Sequence, residues 1–304
     1  MLAVGSASGE KQMCDRAESV EKPWQPQALW RRLQSQTSHG LATGALKPID
    51  THFEILQDGG IDFIVRVLAN LNRKDQARKV QARKKTNPFL PYDPDLYVTD
   101  ISDTHLCLLN KFNVVDHHFL IVTRQFESQD SWLTLADFDA LHRCLQETAG
   151  LFFFNGGTQA GASQPHKHLQ VVPQQSMAVP MEIAVHAALF SEELGTSPLL
   201  PYAHCIAKLS LTMTAADWLG RYRQALLSLG IGDQTSQWQG KPPVPYNLLG
   251  TRDWMMVIPR SQDDYLGISV NSLGFAGSLL VRNFQQLDQL QQLGPMQLLQ
   301  LVAM

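Results

Sequence analysis

Apolar and polar residues alternate through "IDFIVRV" (61–67), the period of two that predicts a strand with one buried face. Gly59 and Gly60 precede it, and "HFEILQD" precedes them, so a hairpin is expected. Earlier, "WQPQALWRRLQSQ" predicts an amphipathic helix, whereas residues 1–24 carry no period and read as a loose N-terminal segment. "THLCLLNKFNVVDHHFLIVTRQF" reads as two strands joined around Asn113. In "LTLADFDALHRCLQETAGLFFFN", Leu135, Phe138, Leu141, Leu145 and Ala149 recur at spacings of three and four, which predicts a helix ending at Asn155 before Gly156 and Gly157.

The second half echoes this order. "AADWLGRYRQALLSLG" reads as a helix, "PPVPYNLLGTRDWMMVIPR" as a loop and strand, and "NFQQLDQLQQLGPMQLLQLVAM" as a terminal helix. If "HKHLQVVPQ" and "DWMMVIPR" are equivalent strands, the chain contains a duplication whose second copy kept the scaffold and lost the histidines. The expected division is an N-terminal catalytic domain over residues 25–180 and a C-terminal domain over 181–304.

Composition narrows the function classes. With 304 residues, 44% hydrophobic and 17% charged, the chain is an ordinary globular protein. Its formal charge of -3 offers no global attraction to nucleic acid or an anionic membrane, so a polyanionic ligand must be held by local cations. Apolar runs such as "LFFF" and "SLLV" are far short of the ~20 residues of a bilayer span. Cys14, Cys107, Cys144 and Cys205 form no C-x-x-C pair and no secretory pattern opens the chain, so a reducing cytoplasm is expected. The segment holding Arg73, Lys74, Arg78, Lys79, Arg83, Lys84 and Lys85 reads as a solvated excursion, or alternatively as a lid attracting polyphosphate.

The chemistry concentrates in "GASQPHKHLQVVP" (161–173). On a strand, His166, His168 and Gln170 share one face while Lys167 and Leu169 take the other. Gly161, Ala162 and Ser163 allow backbone amides to approach an anion. H-x-H is also a zinc spacing, but a zinc site needs a third ligand and the other histidines and cysteines show no spacing to supply it. "GASQP" lacks the second glycine of a nucleophile elbow, which makes Ser163 a better phosphate donor than nucleophile. No P-loop or dinucleotide fingerprint occurs. A neutral imidazole attacking phosphorus explains the arrangement best, with its far nitrogen hydrogen-bonded and Gln and Ser donating to nonbridging oxygens.

These residues resemble the active-site strand of the histidine-triad superfamily, in the branch where glutamine replaces the third histidine. The likeness is closest to the diadenosine tetraphosphate phosphorylases, also called ATP adenylyltransferases. It extends over "ALKPIDT", "NPFLPYDPDLYV", "LLNKFNVVDHHFLIVTRQF", "YNLLGTRDWMMVIPRS" and "SVNSLGFAG". The galactose-1-phosphate uridylyltransferases usually read H-P-H-G-Q, whereas Lys167 and Leu169 intervene here.

The resemblance implies an α+β, histidine-triad-like fold of two related halves, with antiparallel sheets and helices packed on them. It implies His168 as the nucleophile, His166 as its orienting partner, Gln170 on the phosphate, and Gly161, Ala162, Ser163 and Gln164 around the phosphate chain. Asn155 and Lys47 follow as nucleotide and phosphate contacts, and Asn271, Ser272, Gly274 and Phe275 as contacts from the second half. Lys47 alone also fits a solvated lysine, and Asn271 with Ser272 a simple turn. The implied reaction is phosphorolysis of the dinucleotide to ADP and ATP, and its reverse. The superfamily's hydrolases and uridylyltransferases, or a non-catalytic nucleotide or metal module, are the alternatives. Mg²⁺ is expected only with the polyphosphate and no organic cofactor is expected. The expected partners are nucleotides and phosphate, without nucleic acid or membrane, and a monomer suffices if one chain supplies both halves.

Overall fold

The three- and four-residue spacing of Leu29, Leu33, Thr37 and Gly40 buries one side of helix α1 (Leu29–Thr43). The computed structural model describes residues 22–68, 87–232 and 238–304. The basic segment from Arg73 to Lys85, Cys14 and nearly all of the N-terminal segment lie outside these. Strands β1 (Thr51–Asp58) and β2 (Ile61–Leu68) form the expected hairpin, with Asp58 opposite Ile61 and Ile61, Phe63, Val65 and Val67 turned inward.

Next come β3 (Tyr97–Asp100), β4 (His105–Leu109), β5 (Phe119–Thr123), helix α2 (Leu135–Glu147), β6 (Gly150–Gly156) and β7 (His168–Pro173). A short helix α3 (Glu182–His186) leads to β8 (Leu189–Ser191), β9 (Leu194–Thr196), β10 (Cys205–Lys208), helix α4 (Ala215–Ser228), β11 (Tyr246–Gly250) and β12 (Trp254–Pro259). The chain closes with β13 (Asp264–Tyr265), β14 (Ile268–Ser269), α5 (Ser272–Phe275), β15 (Ser278–Val281), α6 (Phe284–Leu293) and α7 (Pro295–Val302).

Three expectations change. The helix expected to reach Asn155 stops at Glu147, and Leu151 to Phe154 belong to strand β6. Both faces of β6 are buried, so its side chains form a continuous apolar run that periodicity cannot distinguish from a helix. Gly150 allows the switch, since a Cβ there would stand 2.4 Å from the Val172 carbonyl oxygen. "YNLLGTRDWMMVIP" is a hairpin of β11 and β12 rather than one strand. The terminal helix divides at Gly294, with Pro295 opening α7, where its missing N–H costs nothing.

Among the described residues, ten strands form one sheet in the order β3-β4-β5-β7-β6-β11-β12-β10-β9-β8. Its middle is the antiparallel β6·β11 pair, with Phe153 opposite Leu249, and five strands run outward on each side in corresponding order. Both halves read strand, strand, strand, helix, strand, strand along the chain. Helices α2 and α4 open with the same capping box, Thr134 with Asp137 and Thr214 with Asp217. Equating Pro173 of β7 with Pro259 of β12 places Gln170 at Met256 and His168 at Trp254. The second copy thus turned its chemical positions into core.

Alternating side chains divide the interior. One core lies beneath α1, α2 and α4 and takes Phe152, Phe154, Leu169 and Val171; the other takes Leu151, Phe153, Val172, β2, β15, α6 and α7. Strand β15 pairs in parallel with β2, Ser278 opposite Ile64, so the last part of the chain closes over the first hairpin.

Candidate active site

His168 opens β7, where the ladder changes partners. Strand β7 pairs with β5 as far as Val122 opposite His168, but with β6 only to Phe153 opposite Gln170. Where β6 and β7 separate, the buried Gln129 side chain takes the missing strand's place. Its Oε1 accepts from the His168 main-chain N–H at 2.8 Å, and its Nε2 donates to the His168 carbonyl at 3.2 Å and the Asn155 carbonyl at 3.0 Å.

The His168 ring is oriented just as firmly. Its Nδ1 lies 2.8 Å from the main-chain oxygen of His166; a carbonyl only accepts, so Nδ1 carries the proton and Nε2 bears the lone pair. Burial pushes this imidazole down to about 4, with a smaller lowering from His166 opposing the carbonyl's effect. The ring is therefore neutral at ordinary pH.

The His166 side chain is engaged elsewhere. Its Nε2 donates to the Thr123 carbonyl at 2.8 Å, and its Nδ1 accepts from Asn87 Nδ2 at 2.9 Å. Asn87 Oδ1 in turn accepts from the Phe89 N–H at 3.0 Å. This places Phe89 over both histidines, with ring centroids 5.5 and 5.3 Å away. His166 thus touches the nucleophile candidate through its carbonyl, while its ring anchors the segment that covers the site.

Lys167 faces the opposite side, fully buried, with Nζ 2.8 Å from Asp137 and 2.9 Å from Glu127. Asp137 also meets His105 Nε2 at 3.1 Å and caps α2. Burial alone would raise the Asp137 carboxyl, but His105 and Lys167 prevail and hold it at about 2.

At the seam, Asn155 sits in β6 opposite Asn247 of β11. Its Oδ1 accepts from Asn247 Nδ2 at 2.9 Å, Ser272 Oγ at 2.7 Å and the Ser272 N–H at 3.0 Å. Asn247 Oδ1 accepts from the buried Arg260 at 2.6 Å, and Arg260 also holds the Val270 carbonyl at 2.9 Å. This network presses the turn carrying Gly161 against Val270 and Asn271. At Gly161, φ is +87° and an added Cβ would lie 2.7 Å from the Val270 oxygen. The Gly161 and Ala162 N–H groups are used inside that turn, by Thr158 and Gly157, which leaves the cradling role expected of the loop to Ser163 and Gln164.

A cleft of about 1340 Å³ opens above these residues. It gathers His168, Gln170, Lys47, Asn155, Gly161, Ser163, Gln164, Asn271 and Gly274 from the sequence-derived set. Ala162 and the His166 ring do not line it. Ser272 and Phe275 are fully buried instead: Ser272 in the seam network and Phe275 in the core against Tyr202 and Arg260. Sequence reasoning missed Gln129, His118, Arg66, Lys111 and Arg282. The last four line the cleft, and with Lys47 three of them put cations around a site whose lining carboxylates, among the described residues, are Asp50 and Asp93. Of these, His118 and Lys111 had a visible signal, both lying in the family-like stretch "LLNKFNVVDHHFLIVTRQF". Among the described residues, no three His, Cys, Asp or Glu side chains are grouped as metal ligands.

A neutral, oriented imidazole in a cation-lined cleft, on one half of a duplicated α+β sheet, is the arrangement a nucleotidyltransferase enzyme needs. The family described as Ap4A phosphorylase N-terminal domain matches residues 19–191, and ATP adenylyltransferase C-terminal domain matches residues 198–304. The chain belongs to the Ap4A phosphorylase family. It is 29% identical over 249 residues to the Diadenosine 5',5'''-P1,P4-tetraphosphate phosphorylase 2 of Saccharomyces cerevisiae, covering 73% of this chain and 76% of that one. The crystal structure of yeast Ap4A phosphorylase Apa2 in complex with Ap4A superposes with a TM-score of 0.71 at 25% identity, covering 90% of this chain and 96% of that one. The same enzyme in complex with AMP gives 0.72 at 24% identity, covering 90% and 95%; at that identity the match speaks for the fold.

Proposed function

We propose that this chain catalyses phosphorolysis of diadenosine tetraphosphate by inorganic phosphate to ADP and ATP, and the reverse, through an adenylyl group carried on His168. The observation that carries this reading is the His168 Nδ1–H bond to the His166 carbonyl, which leaves Nε2 as a lone pair in a cleft lined by Lys47, Arg66, Lys111 and Arg282. Membership in the Ap4A phosphorylase family supports the substrate.

In the first step Nε2 bonds to the α-phosphorus, the bond to the bridging oxygen breaks, and ATP leaves. Its leaving oxygen belongs to a polyphosphate, a weak base that departs without a proton. The adenylated ring becomes cationic, and the His166 carbonyl stabilises that charge through the Nδ1–H. In the second step a phosphate oxygen attacks the same phosphorus, the P–N bond breaks, ADP leaves and His168 returns neutral. Gln170 and Ser163 donate to nonbridging oxygens, and the cations offset the charge of the phosphate chain. Asn155 and Asn271 bring contacts from both halves to the nucleotide.

Mg²⁺ enters this proposal as a companion of the polyphosphate. The described thiols Cys107, Cys144 and Cys205 are free and buried, which supports a reducing cytoplasm as the place of action. No helix among the described residues is long and apolar enough to cross a membrane. A monomer is proposed because one chain contributes both five-stranded halves.

The test is labelled diadenosine tetraphosphate with and without phosphate, together with intact-protein mass. Expected are ADP and repeated turnover only with phosphate, and without it an AMP adduct on His168 with a single equivalent of ATP released. Release of AMP and ATP regardless of phosphate would identify a hydrolase, and no turnover by wild type would overturn the reading.

A further inference from the structure

His118 immediately precedes β5, is 5% exposed, and lines the cleft together with His168 and Gln170. Its ring packs on Phe153 at 5.8 Å, and Phe153 is the strand partner of Gln170. The proton on this ring can be assigned from neighbours whose roles are unambiguous. The Phe112 main-chain N–H donates to Asn110 Oδ1 at 3.4 Å, so the Asn110 amide nitrogen is the end that meets His118 Nδ1, at 3.1 Å. An amide nitrogen only donates, so Nδ1 accepts and the neutral ring carries its proton on Nε2.

That Nε2–H is buried and has no partner in hydrogen-bond geometry among the described residues, which costs free energy unless something in the working state satisfies it. Its neighbour on the cleft side is the Gln170 carboxamide. Burial holds the ring neutral, outweighing the Gln170 contact, which favours the charged form.

We propose that His118 is a positioning residue for AMP transfer: its Nε2–H donates to Gln170 Oε1, so that Gln170 turns its NH₂ toward the phosphoryl group moving to His168. A carboxamide has two ends of opposite polarity, and the wrong end would set a carbonyl dipole against a phosphate oxygen. The relay runs from the Phe112 N–H through Asn110 and His118 to Gln170 without a mobile proton. It closes when the phosphoryl group draws Gln170 into place, as active-site hydrogen bonds commonly tighten only in the reacting complex. The inference rests on the nucleotidyl-transfer reading above.

The experiment measures single-turnover formation of the AMP adduct from diadenosine tetraphosphate, with steady-state KM for the dinucleotide, for His118→Phe, His118→Gln, Gln170→Ala and the double variant His118→Phe/Gln170→Ala. His118→Phe should slow adduct formation about 10- to 100-fold while KM moves less than about threefold, the split expected of a contact made in the transition state. His118→Gln, which keeps an N–H near the Nε2 position, should recover most of that rate. With Gln170→Ala already present, His118→Phe should cost nothing more, because the two act as one unit. If the Phe variant does not fold, the Gln variant carries the test alone, and a folded His118→Gln slowed more than about tenfold overturns the relay. Additive losses in an otherwise active enzyme overturn the relay alone. A wild type that forms no adduct overturns the transfer reading, and the relay with it.

Discussion

His168 and His166 are joined by one hydrogen bond, from the Nδ1 of the first to the main-chain oxygen of the second at 2.8 Å. Two histidines that share a motif therefore do unlike work. His168→Ala should abolish the AMP adduct and lower phosphorolysis about 10⁴-fold or more, the scale of losing a covalent nucleophile. His166→Ala keeps the carbonyl and loses the anchor of Asn87 and Phe89. It should still form the adduct, about 10- to 100-fold more slowly, as misplacement does. Intact mass and single-turnover rates distinguish the two variants.

Acid should act through the buried imidazoles. Burial holds His118 and His168 at about 4, below the ~6.5 of an unfolded histidine. The unfolded chain therefore binds more protons between those values, so the stability these rings contribute is whole above pH ~6.5 and is lost as pH falls toward 4. Urea midpoints at pH 7.5, 6 and 5 should decline in that order. The AMP-transfer rate of the folded enzyme should stay flat until His168 itself protonates.

Gln129 is expected to matter for both stability and rate. Gln129→Ala leaves the His168 N–H and the His168 carbonyl without their partner, while the Asn155 carbonyl keeps the Gly157 N–H. At about 1–3 kcal/mol for each buried group left unsatisfied, less whatever water recovers, a loss of about 2–4 kcal/mol is expected. Denaturant unfolding measures it, and kcat should fall as the His168 backbone loosens.

Gly161→Ala combines a left-handed backbone with a clash against the Val270 oxygen. The turn and the Asn271 segment must move apart, which separates the cleft linings that the two halves bring together. KM for the dinucleotide should rise at least about tenfold, with a smaller loss in thermal stability.

Lys167→Met should destabilise the fold by about 3–5 kcal/mol, because it strips the charge partner from the buried Asp137. Lys167→Met combined with Asp137→Asn should recover part of that loss, although His105 and the α2 cap also depend on Asp137. Chemical denaturation of the single and double variants tests the coupling.

The sequence by itself determined what depends on near neighbours. The strand period already put His168 and Gln170 on one face and Lys167 on the other. The Thr-x-x-Asp capping boxes mark the starts of α2 and α4 in both halves. The echo of "HKHLQVVPQ" in "DWMMVIPR" raised a duplication, which the order of the ten-stranded sheet then displayed among the described residues. Only the tertiary structure decided the rest. Leu151 to Phe154 became a strand because a sheet buried on both faces erases the period that would name it. Gln129 reaches His168 across 39 residues of chain, and Ser272 reaches Asn155 across 117. Arg66, Lys111 and Arg282 come to one cleft from three separate parts of the chain. Such contacts leave no mark in local spacing, because they arise where the ladder of β6 and β7 ends and where β15 returns to β2. Hydrogen-bond satisfaction at those junctions, rather than any short motif, shaped the surroundings of His168.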